Sequence, residues 1–222
     1  ERAARALLTC GRERFNYGYR EGAIKRIGTA ALGPLREAMQ DPKTTGVAAQ
    51  AIIWLAGQGT PILIEALKSE NVEVRRAAAS CFEYGYYPDP RATDALLAAL
   101  SDGDVEVRRS ATAALWALHD PKAIDPFIKL LDDPDSQVRS TAAIALGESG
   151  NPKATEVLLK CILNRKDVFS GGSYPIHVAG SWRFQDHQLV PELVASLTAL
   201  RKEIAAAADS QEKASLTQWL NR

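Results

Sequence analysis

The sequence predicts an all-α solenoid of stacked antiparallel helical pairs, because two sets of positions recur at nearly the same period. Asp89, Asp120 and Asn151 lie 31 residues apart, and each precedes a proline. A second set is formed by valines at positions 47, 74, 107 and 138, which are separated by 27, 33 and 31 residues. A fixed period between about 20 and 50 residues is typical of repeat architectures.

Each repeat predicts two helices. Apolar residues at helical spacing indicate the first helix, as with Leu96, Ala99 and Leu100. A short acidic turn follows, in which Asp104 and Asp135 are well placed to cap the next helix. The Asp-Pro or Asn-Pro pair then ends that second helix and begins the next repeat.

The second helix predicts a buried stripe. Positions 4, 7 and 8 residues after each valine share its face at about 100° per residue. We expect these to be buried: Ala78, Cys81, Phe82, Ala111, Ala114, Leu115, Ala142, Ala145 and Leu146. Position 5 is small in each repeat, as Ala79, Thr112 and Ala143, which indicates close packing of a neighbouring repeat. Trp54 follows Val47 by seven residues and is also expected in the core.

The repeat resembles a known family. "DPDSQVRSTAAIALGESG" is similar to the short phycobilisome-lyase type of HEAT repeat, with its pattern acid-x-x-Val-Arg-x-x-Ala-Ala-x-Ala-Leu-Gly. The preceding repeats differ from it at Glu83 and at Trp116, where Gly is usual. The resemblance covers about residues 40 to 165 and implies a HEAT-like superhelix. Because the repeat is a packing unit, it implies little about function.

The resemblance also implies a role for the arginine after each valine, which in HEAT repeats pairs with an acid six positions earlier. It pairs Arg108 with Asp102 and Arg139 with Asp133. Arg75 would face Ser69, so that pair is either missing or supplied by a neighbouring repeat.

We expect one α-solenoid domain over residues 1–222. Residues 1–40 are interpreted as a degenerate N-terminal repeat and 41–164 as regular repeats. Residues 165–187 form an aromatic and glycine-rich insertion, either a loop over the end of the array or a binding element. Residues 188–222 are expected to form capping helices.

The composition restricts the function classes. With 27 basic and 27 acidic side chains, the chain has no net field that would attract nucleic acid or an anionic membrane. Cys10, Cys81 and Cys161 are odd in number and far apart, which favours reduced, buried thiols over disulfides or a zinc site. No apolar run predicts membrane insertion. Since the chain begins at Glu1, we expect a trimmed sequence, from which the compartment cannot be read.

No catalytic, cofactor or metal motif stands out. The nucleophile, phosphate-loop, dinucleotide and zinc-protease signatures are all absent. His177, Asp186 and His187 could share one loop, but surface histidines are the favoured interpretation, so we predict no metal and no cofactor.

By the same resemblance, the second helices line a concave groove. The residues expected to bind a partner there are Arg76, Ser80, Tyr84, Arg109, Ser110, Ser140, Thr141 and Glu148. Possible rim contacts are Tyr86, Tyr87 and Trp116. Arg and Tyr dominate binding hot spots, whereas the competing interpretation is a merely solvated surface.

The predicted function is a non-catalytic scaffold or adaptor that binds a protein or peptide along the concave face. The alternatives are a bilin-lyase-like enzyme subunit, which the resemblance suggests, and a nucleic-acid-binding protein. Nucleic acid is disfavoured because Arg76 and Arg109 are few beside Glu73, Glu106 and Glu148. We expect carboxylates of a partner to bind the two arginines, and their reversal to Glu to abolish binding in a folded chain. Partner identity and oligomeric state cannot be read from the sequence.

The assignment of buried and exposed helix faces yields a direct stability prediction. Leu115→Ala should lower the free energy of unfolding by roughly 2 to 5 kcal/mol, because it removes core packing. Arg109→Ala should cost little, because it loses only solvated contacts. Comparable losses for the two variants in a urea titration would show that the helix faces are assigned wrongly.

Overall fold

The computed structural model of the protein describes residues 2–9, 17–84 and 89–163. Within these ranges the chain forms α-helices joined by short 3-10 turns and contains no β-strand, which confirms the all-α prediction. The helices are α1 Arg2–Thr9, α2 Tyr17–Ile27, α3 Leu32–Gln40, α4 Thr45–Trp54, α5 Thr60–Ala66, α6 Val72–Tyr84, α7 Thr93–Ala99, α8 Val105–Leu118, α9 Ile124–Leu130, α10 Ser136–Glu148 and α11 Pro152–Leu163. None of these helices is long and apolar enough to span a bilayer.

The chain divides into two compact units, residues 1–123 and 124–222. Each is described by itself below, and the single domain over 1–222 stays a prediction. The expected insertion at 165–187 and capping helices at 188–222 lie outside the described residues.

The first unit is built from two rows of helices. In each repeat one helix of the outer row packs against the next helix of the inner row, as α3 does with α4 and α7 with α8. The inner row is α2, α4, α6 and α8, and each of these helices contacts the next. Residue 40 therefore lies inside the α3–α4 pair rather than at a repeat boundary. The N-terminal repeat is α1 with α2, and it ends at Gly28, whose φ of +58° favours glycine.

Polar side chains at both turns of the repeat define where the helices begin. Asp104 and Asp135 accept hydrogen bonds from the second and third backbone N–H groups that follow, which confirms them as N-caps of α8 and α10. At the other turn, Asp89, Asp120 and Asn151 each accept from the backbone N–H two residues later, at 2.9 to 3.0 Å. The repeated sequence is thus a repeated set of backbone caps.

The predicted stripe forms most of the core. Val74, Val107 and Val138 are fully buried, as are Ala78, Ala111, Leu115, Ala142 and Leu146. The small positions at Ala79, Thr112 and Ala143 are likewise inaccessible. Phe82 is an exception. It is only half-buried, whereas Leu115 and Leu146 at the equivalent position are fully buried.

The register of α4 differs from the prediction by one residue. Ala48, Ile52 and Leu55 are buried, whereas Val47 and Trp54 are half-buried. The buried face of α4 is thus rotated by about 100° from the one that the valine register predicts. Trp54 is therefore not a core residue.

Cys81 and Cys161 are buried, as predicted. The Cys81 thiol lies 3.5 Å from the carbonyl oxygen of Ala49 on the neighbouring inner helix. Burial raises the pKa of Cys81 to about 12, so this thiol stays protonated at neutral pH. Cys10 lies outside the described residues.

In the second unit, α9, α10 and α11 pack against one another. Phe127, Leu131, Leu146 and Leu158 form its core. The helical-repeat pattern is thus retained up to residue 163.

Two threonines at the start of outer helices offer a matched test of the turn. The Thr60 hydroxyl donates to Asp89 of the next repeat at 2.6 Å, whereas the buried Thr93 hydroxyl has no hydrogen-bond partner. Thr60→Val should lower the free energy of unfolding by about 1.5 to 3 kcal/mol, because it deletes one hydrogen bond to a charged acceptor. Thr93→Val should leave it unchanged or raise it. Equal destabilisation of both variants in urea would contradict the bond assigned to Thr60.

Candidate binding face

The solvent-facing side of α4, α6 and α8 forms one continuous surface, here called the inner face. We align the three helices on their buried residues Ala48, Val74 and Val107, and we count equivalent positions from these. The position before each buried residue, and those two and six after it, are half-buried or exposed. They are Val47, Gln50 and Trp54 on α4, Glu73, Arg76 and Ser80 on α6, and Glu106, Arg109 and Ala113 on α8.

Two adjacent arginines of α6 hold the turn before α8. The Arg75 guanidinium donates to both carboxylate oxygens of Asp102, at 2.7 and 3.1 Å. Arg76 donates to both carboxylate oxygens of Asp104, at 2.9 and 2.6 Å. Two parallel bonds from a planar fork are the strongest form of ion pair and fix the relative position of both groups. We call these four residues the arginine clamp.

The clamp also binds the turn of its own repeat. Arg75 donates to the backbone carbonyl oxygens of Ser69 and Glu70, at 2.9 and 3.0 Å. One guanidinium therefore ties the turn before α6 to the turn before α8. This answers the question left by the sequence, since the neighbouring repeat supplies the acid that position 69 lacks.

The expected pairing of Arg108 with the Asp102 carboxylate is wrong. Arg108 donates instead to the backbone carbonyls of Asp102 and Gly103, at 3.0 and 3.3 Å. The Asp102 carboxylate is occupied by Arg75 and by the backbone N–H of Asp104. Arg108 therefore contacts the residue six positions earlier through the backbone carbonyl oxygen of that residue.

Arg139 bonds its own turn in the same way. It donates to the backbone carbonyl oxygens of Asp133 and Pro134, at 2.8 and 3.0 Å. The contact with position 133 that the sequence predicts is therefore made through the backbone.

The clamp shifts the titration of both carboxylates. The hydrogen bonds from Arg76 are the main cause that lowers the pKa of Asp104 to about 2. At Asp102 burial acts to raise the pKa, but the hydrogen bonds from Arg75 and from the Asp104 N–H outweigh it and hold the pKa below its usual value. Both groups are charged in the folded protein at neutral pH.

Arg76 is consequently less available than the sequence indicates. Its side chain is 40% exposed, but it also donates to Glu73 at 3.0 Å, so three of its N–H groups face carboxylates already. The expectation that a Glu at position 76 leaves the fold intact needs correction. A carboxylate there would face Asp104, which caps α8 and is only 14% exposed.

The structure divides the other predicted site residues among several environments. Ser80 is half-buried on the inner face, and Arg109 is half-buried and bonded to Glu106 at 2.9 Å. Ser110 is buried and donates to Glu83 of the previous repeat at 2.6 Å, so it stabilises the α6–α8 contact instead of facing solvent.

Trp116 and three residues of the second unit were also predicted. Trp116 is half-buried on α8. On α10, Ser140 is buried while Thr141 and Glu148 are half-buried.

The partner contacts expected of the tyrosines stay predictions. Tyr84 ends α6, but its side chain is not described, and Tyr86 and Tyr87 lie outside the described residues.

Trp54 is the inner-face residue that the valine register missed. It occupies the same helix position as Ser80 and Ala113, and it is half-buried. Aligning α4 on its larger apolar residues Ile52 and Leu55 would have placed it correctly. The described residues hold no group of three or more His, Cys, Asp or Glu side chains arranged to bind a metal ion.

The clamp predicts a loss of stability in acid. The Asp104 pKa is about 2 in the folded chain and near 4 when unfolded, so its contribution is complete above about pH 4 and is lost as the pH falls through 2. Asp104→Asn keeps a capping side chain but removes the charge. The variant should be less stable than the wild type at pH 7, and the difference should shrink at pH 2.5 in urea titrations. A difference that does not change with pH would contradict the charged pairing.

Comparison with known proteins agrees with this geometry. A model of the HEAT repeat matches residues 60–83, and a second model of HEAT repeats matches residues 93–169. No curated relative matches the chain in sequence.

Solved structures share the fold. YibA of E. coli superposes with a TM-score of 0.54 at 20% identity, over 100% of this chain and 82% of that one. An engineered protein gives 0.55 at 18% identity, over 98% and 67%. The complex of CpcE and CpcF of phycocyanin lyase from Nostoc sp. PCC7120 gives 0.50 at 22% identity, over 98% and 92%. Residues 60–83 and 93–169 thus match HEAT repeats, and the solved structures share the helical-repeat fold.

Proposed function

We propose that the chain is a non-catalytic scaffold or adaptor that binds a protein or peptide along the inner face. The observation that carries this proposal is a surface shared by three neighbouring helices, α4, α6 and α8, whose solvent-facing residues are half-buried or exposed. Trp54, Ser80 and Ala113 occupy one equivalent position across α4, α6 and α8 and are each half-buried. A large aromatic side chain beside two small ones forms an uneven surface that a partner's side chains can fill.

The clamp supports the same proposal by making the surface rigid. Bidentate bonds at Arg75 and Arg76, together with the Ser110–Glu83 bond, connect α6 to the α8 repeat near the start and near the end of α6. A preformed surface binds with a smaller loss of conformational entropy than a mobile one. The inner helices would thus present a partner with fixed side-chain positions.

The alternative functions receive less support. The likeness to the CpcE and CpcF complex is at 22% identity and bears on the fold alone, so it does not favour a lyase. Nucleic-acid binding is disfavoured by charge, because residues 41–163 contain 17 acidic and 12 basic side chains.

A peptide library displayed on phage tests the proposed face without a known partner. Peptides selected on the full chain should lose binding to Ala113→Tyr, because the added ring covers the part of the inner face that lies on α8. The matched control is Ala98→Tyr, which places the same ring on an exposed outer-row position of α7 and should leave binding unchanged. Selected peptides that bind Ala113→Tyr as well as the control would place the site elsewhere, with residues 165–187 next to be tested.

A further inference from the structure

The inner face carries more carboxylates than its arginines neutralise. Asp104 occupies Arg76 through two bonds, and Glu73 adds a third at 3.0 Å. The bond to Asp104 is the main cause that raises the pKa of Arg76, and the nearby charges of Glu73 and Glu106 add to it. Glu106 accepts from Arg109 at 2.9 Å. Three carboxylates, those of Glu73, Asp104 and Glu106, thus bond two arginines on this face.

The carboxylates of Glu73 and Glu106 are accessible to a partner. The side chains of Glu73 and Glu106 are 60% and 53% exposed, and both belong to the position that precedes a buried valine. Their bonds to arginine are exposed pairs within one helix, which are weak and easily exchanged.

The spacing of these glutamates follows from the packing of their helices. Equivalent positions on two packed helices lie about 8 to 10 Å apart. A polyproline II segment has three residues per turn and rises about 3.1 Å per residue, so side chains three residues apart share one face at about 9 Å. This conformation presents one side chain to each inner helix in turn.

We propose that the partner segment is cationic and adopts a polyproline II conformation across α6 and α8, with Lys or Arg at every third position binding Glu73 and Glu106. The small side chains of Ser80 and Ala113 leave room for its backbone further along the same helices. This inference rests on the proposed function and reverses the partner charge that the sequence suggested, because Asp104 occupies the arginine that was expected to bind carboxylates.

Three synthetic peptides of twelve residues test the proposal on the full chain by fluorescence anisotropy at low salt. They are (Arg-Pro-Pro)4, a peptide of the same composition with its four arginines adjacent, and (Glu-Pro-Pro)4. The first should bind most tightly, the second more weakly, and the third not measurably. Binding of (Arg-Pro-Pro)4 should also weaken as salt is raised from 50 to 300 mM.

The matching variant removes two charges from the inner face. Glu73→Gln/Glu106→Gln should weaken (Arg-Pro-Pro)4 by about tenfold, as expected when two charged contacts lose about 0.7 kcal/mol each. The control is Glu37→Gln/Glu65→Gln, which removes two outer-row glutamates that also pair with arginines and are similarly exposed. This control should bind as the wild type does.

The outcomes separate this inference from the proposed function. Equal weakening by the two double variants, or equal binding of the arginine and glutamate peptides, would overturn the cationic partner. If phage selection still yields peptides sensitive to Ala113→Tyr, the inner face remains the binding site and only its charge preference is wrong. If Ala113→Tyr has no effect either, both proposals fail. Urea titrations of the two glutamine variants establish that each is folded.

Discussion

The contact between the α6 and α8 repeats depends on one interaction, the arginine clamp of Arg75 and Arg76 on Asp102 and Asp104. Each guanidinium binds its carboxylate with two bonds, and the two acids also bond backbone N–H groups of the turn before α8. The clamp therefore fixes where α8 begins as well as where it lies. Helix capping and repeat stacking, usually treated as separate contributions, share the same two carboxylates here.

This sharing has a consequence for binding. An arginine that faces solvent on an inner helix resembles a recognition residue, but Arg76 already donates to both carboxylate oxygens of Asp104 in the neighbouring repeat. The exposed charged groups beside it are Glu73 and Glu106, whose bonds to arginine lie within one helix. The electrostatic character of the inner face is thus set by what remains after the repeats have bound each other.

The fold could be predicted from the sequence because its signals are local and repeated. The 31-residue step, the acidic caps and the small-residue positions each correspond to a backbone or packing requirement within one repeat, as Asn151, Asp104 and Thr112 illustrate. The binding face could be predicted only in part. The bidentate partners of Arg75 and Arg76 lie 27 and 28 residues away, so a pattern read within one repeat does not identify them. The orientation of Trp54 depended on which apolar residues of α4 compete best for the core, and a valine-based register could not decide that.

The central claim is that a partner lies on the inner row of helices. Photo-crosslinking tests it most directly, with a peptide selected on the full chain that carries a diazirine residue at its centre. If the claim holds, mass spectrometry will find the crosslinks on α4, α6 and α8, near Trp54, Ser80 and Ala113. Crosslinks concentrated on α3, α5 and α7 or on residues 165–187 would contradict it.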